Sequence, residues 1–378
     1  MPVLMRPLEG FVVGVTADRR WQEQAELLER RGASVLHGPS ITTLYLDCDE
    51  ELRRRTQQVI AEPPDYVVAT TGIGMRAWME TADTWGLGKT LVAALATAKI
   101  VARGPKAAGA VQAAGLEVWA RSSTERMDDV LAILLSEPLA GCRVVIQQYG
   151  METPELTTIL AGVSADVVEV PVYRWRLPED KAPANRLLEA VCDGRVDAIT
   201  FTSAPAVHNL FAIAAEQELD GQLRRALNGE VVAACVGPVC AEGARQEGVE
   251  APLAPDVGRL GLLVRALSDH FASQRKELRL GGCELVVQGS AIVVDGQRGV
   301  LTPRERGVFE LLATTPGALV SREALLQRVW GSPNVDPHLL EVAVGRLRRR
   351  LGRCGSAIQA VSGRGYRLAP DAERVEVG

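Results

Sequence analysis

Residues 301–331 read LTPRERGVFELLATTPGALVSREALLQRVWG, and the spacing of caps and apolar residues in this stretch decides the fold of the C-terminal part. Thr302-Pro303-Arg304-Glu305 carries an N-cap hydroxyl, a proline at the first helical position and a glutamate three residues after the cap. A hydroxyl and a carboxylate so placed satisfy each other's orphan backbone N–H groups, so a helix starts here and runs through Val308, Leu311 and Leu312. Ser321 caps a second helix carrying Leu325, Leu326 and Val329, which stops at Trp330-Gly331-Ser332-Pro333. Asp336-Pro337 opens a third. Its apolar stripe is Leu340, Val344, Leu347 and Leu351, with His338, Arg346, Arg349 and Arg350 off the stripe. After Gly355, Ala357 to Val361 reads as a strand, Ser362-Gly363-Arg364-Gly365 as a tight turn and Tyr366-Arg367-Leu368 as the returning strand. Three helices and a hairpin predict a winged helix.

Charge divides the chain at the same place. The whole protein carries −5, but residues 278–378 hold 14 Arg, no Lys and 10 acidic residues, a balance of +4, which leaves −9 for residues 1–277. Within 321–367 there are nine Arg against three acids, and Arg346, Arg348, Arg349, Arg350 and Arg353 form a cluster suited to a phosphate backbone. An arginine run is also a common solvated helix face, so the cluster gains meaning only from the helix that carries it.

The 301–331 stretch, followed by GRLRRRLG (345–352) and VSGRGYRL (361–368), resembles the OmpR/PhoB-type winged-helix output domain of response regulators over about the last hundred residues. The resemblance implies a small N-terminal sheet from LRLGGCELVVQGSAIVVDGQ (278–297), a recognition helix in the major groove of double-stranded DNA and a wing reaching the minor groove. By position it assigns base or phosphate contacts to His338, Arg346, Arg348, Arg349 and Arg350, and the wing contact to Arg364 or Arg367, with Tyr366 on the core. It also implies a homodimer on half-sites about one helical turn apart. Where the family usually has Asp-x-His before Arg-Leu-Arg, this chain has Glu341-Val342-Ala343, so the operator is not carried over. The acidic pair that a receiver domain needs after its first strand is missing: Phe11 to Val15 is followed by Thr16 and a solitary Asp18.

The 378 residues exceed what one core organises, and 47% hydrophobic with 24% charged residues fits a folded, multidomain chain. The most apolar stretch, Thr90 to Ala102, is too short to span a bilayer, and MPVLMRPLEG lacks a cleavable apolar leader, so a cytoplasmic protein without membrane contact is expected. The seven cysteines, Cys48, Cys142, Cys192, Cys235, Cys240, Cys283 and Cys354, include no C-x-x-C pair; buried, reduced thiols are expected, with no metal or cofactor.

Upstream of the winged helix lies a duplication. Asp65 to Thr71 matches Asp197 to Ser203, and Ala33 to Pro39 matches Ala165 to Pro171, both displaced by 132 residues. Gly104-Pro105 matches Gly237-Pro238 one residue further on. Short apolar strands alternating with helical segments predict two related α/β units with parallel sheets. In such sheets ligands bind beyond the carboxyl ends of the strands, which singles out Thr16, Thr70, Thr71, Arg103, Thr202, Ser203, Gly237 and Pro238. Each of these loops also reads as an ordinary helix cap.

VGVTADRR (13–20), LLERRGASVLHGP (27–39), DAITFTSAPAVHNLF (197–211) and ACVGPVCAEGARQEG (234–248) together resemble uroporphyrinogen-III synthase over about residues 8–270. That enzyme closes hydroxymethylbilane with inversion of ring D. The resemblance implies two flavodoxin-like lobes on a two-strand hinge, with an anionic or tetrapyrrole-like ligand between them held mostly by backbone N–H groups. The expected division is 1–39 and 173–270 for one lobe, 40–172 for the other, 271–277 as linker, 278–370 as winged helix and 371–378 as tail. Tyr173 takes the place of the tyrosine most important for turnover, with a packed structural tyrosine as the alternative. Arg103, Lys106, Arg174 and Arg176 are candidate partners for ligand carboxylates. Where the family has hydroxyls after Gly-Pro, this chain has Val239-Cys240, and the first-half loop has Lys106-Ala107, which speaks against turnover. The expectation is a transcription regulator whose synthase-like half senses a ligand, with nitrogen (nitrate/nitrite) or sulfur assimilation as the extrapolated regulon. A bifunctional protein that keeps the hydro-lyase activity, or a scaffold without ligand, are the alternatives.

Overall fold

The computed structural model describes residues 5–46, 50–148, 150, 154–280 and 282–369. The expected tail 371–378 and Cys48 lie outside the described residues. The chain forms two units, 1–40 with 179–378, and 41–178.

In the first unit four parallel strands pair in the order Val232–Cys235, Ala198–Phe201, Val12–Val15, Ser34–His37. The central strand Ala198–Phe201 is buried at all four positions, as expected of a strand covered on both faces. Phe11 and Phe271 stack at 4.1 Å between ring centroids, tying the entrance of the first strand to helix Leu260–Ala272 in a core with Leu28, Leu263 and Leu267. In the second unit five parallel strands run in the order Ala120–Arg121, Lys99–Ala102, Tyr66–Ala69, Arg143–Gln147, Asp166–Val170. Trp78 is fully buried there, and its indole N–H is satisfied by Thr56 Oγ1 at 3.0 Å.

The 132-residue repeat is visible atom by atom. Asp65 accepts the Arg143 N–H at 2.8 Å and Asp197 accepts the Val12 N–H at 2.7 Å, each carboxylate closing the amino end of a neighbouring strand. Thr71 caps helix Gly72–Thr84 by accepting from Gly74 N, and Ser203 caps Ala204–Ala215 by accepting from Ala206 N.

Two strands near the unit boundary pair with each other. Tyr173–Arg176 pairs antiparallel with Thr42–Tyr45, so both strands stay with the second unit, and the division falls after Ser40 and after Pro178. The seven-residue linker expected over 271–277 is also mostly absorbed. Helix Leu260–Ala272 continues to Ala272 and a strand begins at Lys276, which leaves 273–275.

The winged helix opens with a four-stranded antiparallel sheet, Lys276–Leu280, Cys283–Gln288, Ala291–Val294 and Gln297–Val300. Helices Pro303–Thr314, Arg322–Trp330 and Pro337–Arg350 follow, with both arms of the Thr302/Glu305 capping box formed. The wing strands Ile358–Val361 and Gly365–Leu368 gain a third partner, Val320–Ser321, which periodicity did not reveal because two residues carry no repeat. Val308, Phe309, Leu312, Leu340, Val344, Leu347 and Tyr366 share one core. No helix among the described residues is long and apolar enough to cross a membrane.

Candidate nucleic-acid interface and ligand loops

On helix Pro337–Arg350 the buried stripe is Leu340, Ala343, Val344 and Leu347, which turns Arg346, Arg349 and Arg350 to solvent. Arg346 and Arg349 make no hydrogen bond or ion pair among the described residues, while Arg350 lies 3.9 Å from the buried carboxylate of Glu305. Arg348 is used differently: its Nε and Nη2 donate to the Ile358 carbonyl at 3.0 and 2.7 Å, pinning the wing to the helix. Exposed His338 is 3.7 Å from Glu341, which also meets Arg322 at 3.5 Å. At the wing, Arg364 sits exposed in the turn, where its backbone N–H donates to Val361 O at 2.9 Å. The Arg367 guanidinium donates to Gln359 Oε1 at 2.8 and 2.9 Å and so stiffens the hairpin. Leu339, 45% exposed, lies on the outer face with Arg346 and Arg349 at i+7 and i+10. The Leu339-Leu340 doublet was the signal for it, since only one of two adjacent leucines fits the stripe.

The candidate ligand loops divide in the same way between inward and outward groups. Thr16 Oγ1 donates to Thr200 O and Thr70 Oγ1 to Gln147 O, both at 2.7 Å, and both residues are buried, so these two hydroxyls hold strands together. Ser203 and Thr71 are helix caps, while Thr202 is half-buried at the carboxyl end of Ala198–Phe201. Gly104 and Gly237 precede Pro105–Ala113 and Pro238–Gln246 in the same extended conformation, with no side chain capping the helix N–H groups behind them. At the positions after Gly-Pro, Lys106 is exposed and Ala107 buried; Val239 is 53% exposed and Cys240 buried with its thiol on Phe201 O. Only one residue of each pair faces outward, and Val239 offers no hydroxyl there.

Tyr173 is 2% exposed and its hydroxyl is 3.3 Å from Thr71 Oγ1, which also accepts from Gly74 N at 3.1 Å. Gln147 Oε1 accepts from Thr71 N at 3.2 Å, so the loop after Tyr66–Ala69 is braced from two sides. In the second unit a cavity of about 500 Å³ is lined by Tyr173, Gln148, Arg174, Trp175, Arg55 and Glu51, among others. Hydrogen bonds from Arg54 and Arg55 hold the Glu51 carboxyl below its ordinary range. Arg103 is half-buried just after strand Lys99–Ala102, and Arg176 lies on strand Tyr173–Arg176 with Arg174. Gln147 and Gln148 escaped the sequence reading; two amides ending the apolar run Val144-Val145-Ile146 were the available clue.

Comparison with known proteins agrees with this layout. Residues 22–264 match the family of uroporphyrinogen-III synthase HemD. The chain belongs to that family. Residues 296–368 match the C-terminal domain of transcriptional regulatory proteins, so a HemD-like domain is fused to an OmpR/PhoB-type DNA-binding domain. A mutant uroporphyrinogen III synthase from Thermus thermophilus is 32% identical and superimposes with a TM-score of 0.58, covering 70% of this chain and 99% of its own. An uncharacterized protein, YjjA of Bacillus subtilis, is 27% identical over 264 residues, 70% of this chain and 97% of its own length. The regulator CutR of Streptomyces coelicolor is 38% identical over 93 residues, 24% of this chain and 42% of CutR. The C-terminal domain makes this HemD-family protein a DNA-binding transcription regulator with a synthase-like N-terminal part.

Proposed function

We propose that this HemD-family protein is a one-component regulator in the cytoplasm, whose synthase-like lobes bind a small anionic or tetrapyrrole-related ligand and whose winged helix binds its operator as a homodimer. The observation that carries the DNA-binding assignment is the outward face of Pro337–Arg350, where Arg346 and Arg349 stand beside Leu339 with no partner among the described residues. Guanidinium groups on an exposed helix face suit guanine edges and phosphates, and a leucine suits a thymine methyl. Backbone N–H groups at the amino end of Pro105–Ala113, with Arg103 and the Tyr173 cavity in the same unit, suit such an anion, and so do those at the amino end of Pro238–Gln246, with Thr202, in the other unit. Siroheme derives from uroporphyrinogen III and serves nitrite and sulfite reductases, which makes nitrogen or sulfur assimilation the fitting regulon.

Sensing is favoured over turnover because Val239 and Cys240 supply no hydroxyl after Gly237-Pro238 and the Tyr173 hydroxyl is engaged with Thr71. The deciding test is incubation of the purified chain with freshly generated hydroxymethylbilane, scored for the III isomer over the spontaneous I isomer, with Tyr173→Phe alongside. Absence of the III isomer, together with saturable binding of uroporphyrinogen III, is the expected result. Production of the III isomer by the wild type and not by Tyr173→Phe overturns the sensor reading in favour of a bifunctional enzyme.

A further inference from the structure

Within the first unit the winged helix meets the lobe across a built seam. Gly10 and Gly289 both take left-handed backbone, φ +87° and +55°. A Cβ on Gly10 would lie 2.4 Å from Gln288 O, and one on Gly289 would lie 2.5 Å from Gly10 O, so the two backbones touch with no side chain between them. Ser290 donates to Gly10 O from both its N–H and its hydroxyl, each at 2.8 Å. The Gln288 amide, 2% exposed, donates to the carbonyls of Arg6 and Glu9 at 2.8 and 2.9 Å. Arg298 pairs with Glu9, and Arg306 with Asp197.

Asp197 makes two connections at once. One carboxylate oxygen accepts the Val12 N–H, as Asp65 does for Arg143 in the other repeat, and the second receives Arg306 of helix Pro303–Thr314. The Arg306 guanidinium also lies 5.8 Å from the Phe11 ring centroid. Burial presses its pKa down, but Asp197 and Glu310 overrule this and hold it above the ordinary value.

The seam therefore grips the amino ends of the two central strands, Val12–Val15 at Gly10 and Ala198–Phe201 at Asp197. Their carboxyl ends, about 13 Å away at four residues each, carry Thr16 and the Thr202-Ser203 loop. On the other side, the helix holding Arg306 shares its core with the recognition helix, Val308 and Phe309 lying in one cluster with Val344 and Leu347.

We propose that this seam is a rigid dock, latched by Arg306 and Asp197, through which the state of the Thr202-Ser203 loop reaches the DNA-reading helix along the strands Val12–Val15 and Ala198–Phe201. The dock stands by itself; the direction of the signal rests on the sensor reading above. A close-packed sheet held at one end moves as a unit, so a ligand that shifts the loop end shifts the gripped end as well.

Hydrogen exchange on the full chain, without ligand, tests the dock. In Arg306→Met and in Asp197→Asn, exchange is expected to quicken at least tenfold over 6–12 and 286–292, while Leu340 to Leu347 keeps its protection. Asp197→Asn keeps an oxygen for the Val12 N–H, so it separates the latch from strand closure and decides the matter if Arg306→Met does not fold. Unchanged exchange in both segments, or equal loss throughout the domain in Asp197→Asn, overturns the latch. A second arm adds uroporphyrinogen III to the wild type. Slower exchange at both Thr202-Ser203 and 286–292 supports the route, and protection of the loop alone overturns it. No binding at all overturns the sensor reading for this ligand and the route with it, while the first arm decides the dock.

Discussion

The Tyr173 hydroxyl lies 3.3 Å from Thr71 Oγ1, joining strand Tyr173–Arg176 to the cap of helix Gly72–Thr84. The tyrosine that the family resemblance marks for turnover is thus also a structural brace. Tyr173→Phe is expected to cost the second unit about 1 kcal/mol, the usual net worth of one such hydrogen bond. Urea unfolding followed by a probe in that unit measures it, and a loss near zero shows that the hydroxyl contributes nothing to the brace.

Arg346→Ala with Arg349→Ala is expected to abolish operator binding without unfolding the winged helix, because neither side chain supports the core. Any residual binding at low salt, read on a duplex selected by the wild type from a random pool, should show a slope of log affinity against log salt shallower by about 0.9 for each phosphate that the two arginines neutralise. Wild-type affinity with an unchanged slope would sink the recognition-helix assignment.

Arg348→Ala should behave in the opposite way. Removing the two donors leaves the Ile358 carbonyl without them, at a cost of about 1–3 kcal/mol to the winged helix. The salt slope should hold at conditions where the variant is folded. A stable variant with a reduced slope would make Arg348 a phosphate ligand after all.

Gly365 has φ +154°, and a Cβ there would lie 2.0 Å from Val320 O. Gly365→Ala is therefore expected to destabilise the wing by about 2 kcal/mol or more and to separate it from Val320–Ser321. Amide exchange at Tyr366, which faces Val320 in that ladder, reports the separation; unaltered protection would show that the backbone can yield.

Burial and the hydrogen bond with Cys283 push the Cys354 thiol up to about 12. Its thiolate is accordingly scarce at pH 8, and the same direction holds for Cys240, raised by its hydrogen bond with Cys235 and by burial. Iodoacetamide at pH 8 should modify these two cysteines only after unfolding, as read by peptide mass spectrometry. Rapid labelling of either in the folded chain would contradict the burial.

Local chemistry made the winged helix legible in the sequence. The Thr302/Glu305 capping box, the Ser321 cap and the stripe Leu340, Val344, Leu347 are all contacts between residues three or four apart, so spacing alone specifies them. The duplication was legible for a related reason, since both copies of Asp-x-x-x-x-Thr place an aspartate at a strand's amino end and a hydroxyl or cap at its carboxyl end. What spacing does not encode is which long-range partner a side chain finds. That Arg348 turns inward to Ile358 while Arg346 and Arg349 face solvent, that Thr16 and Thr70 spend their hydroxyls on neighbouring strands, and that Asp197 receives Arg306 from 109 residues away depended on tertiary packing. Periodicity determined the elements and their apolar faces; only the close-packed fold, in which a buried polar group must find a partner, decided which of the polar residues were left to face a ligand or DNA.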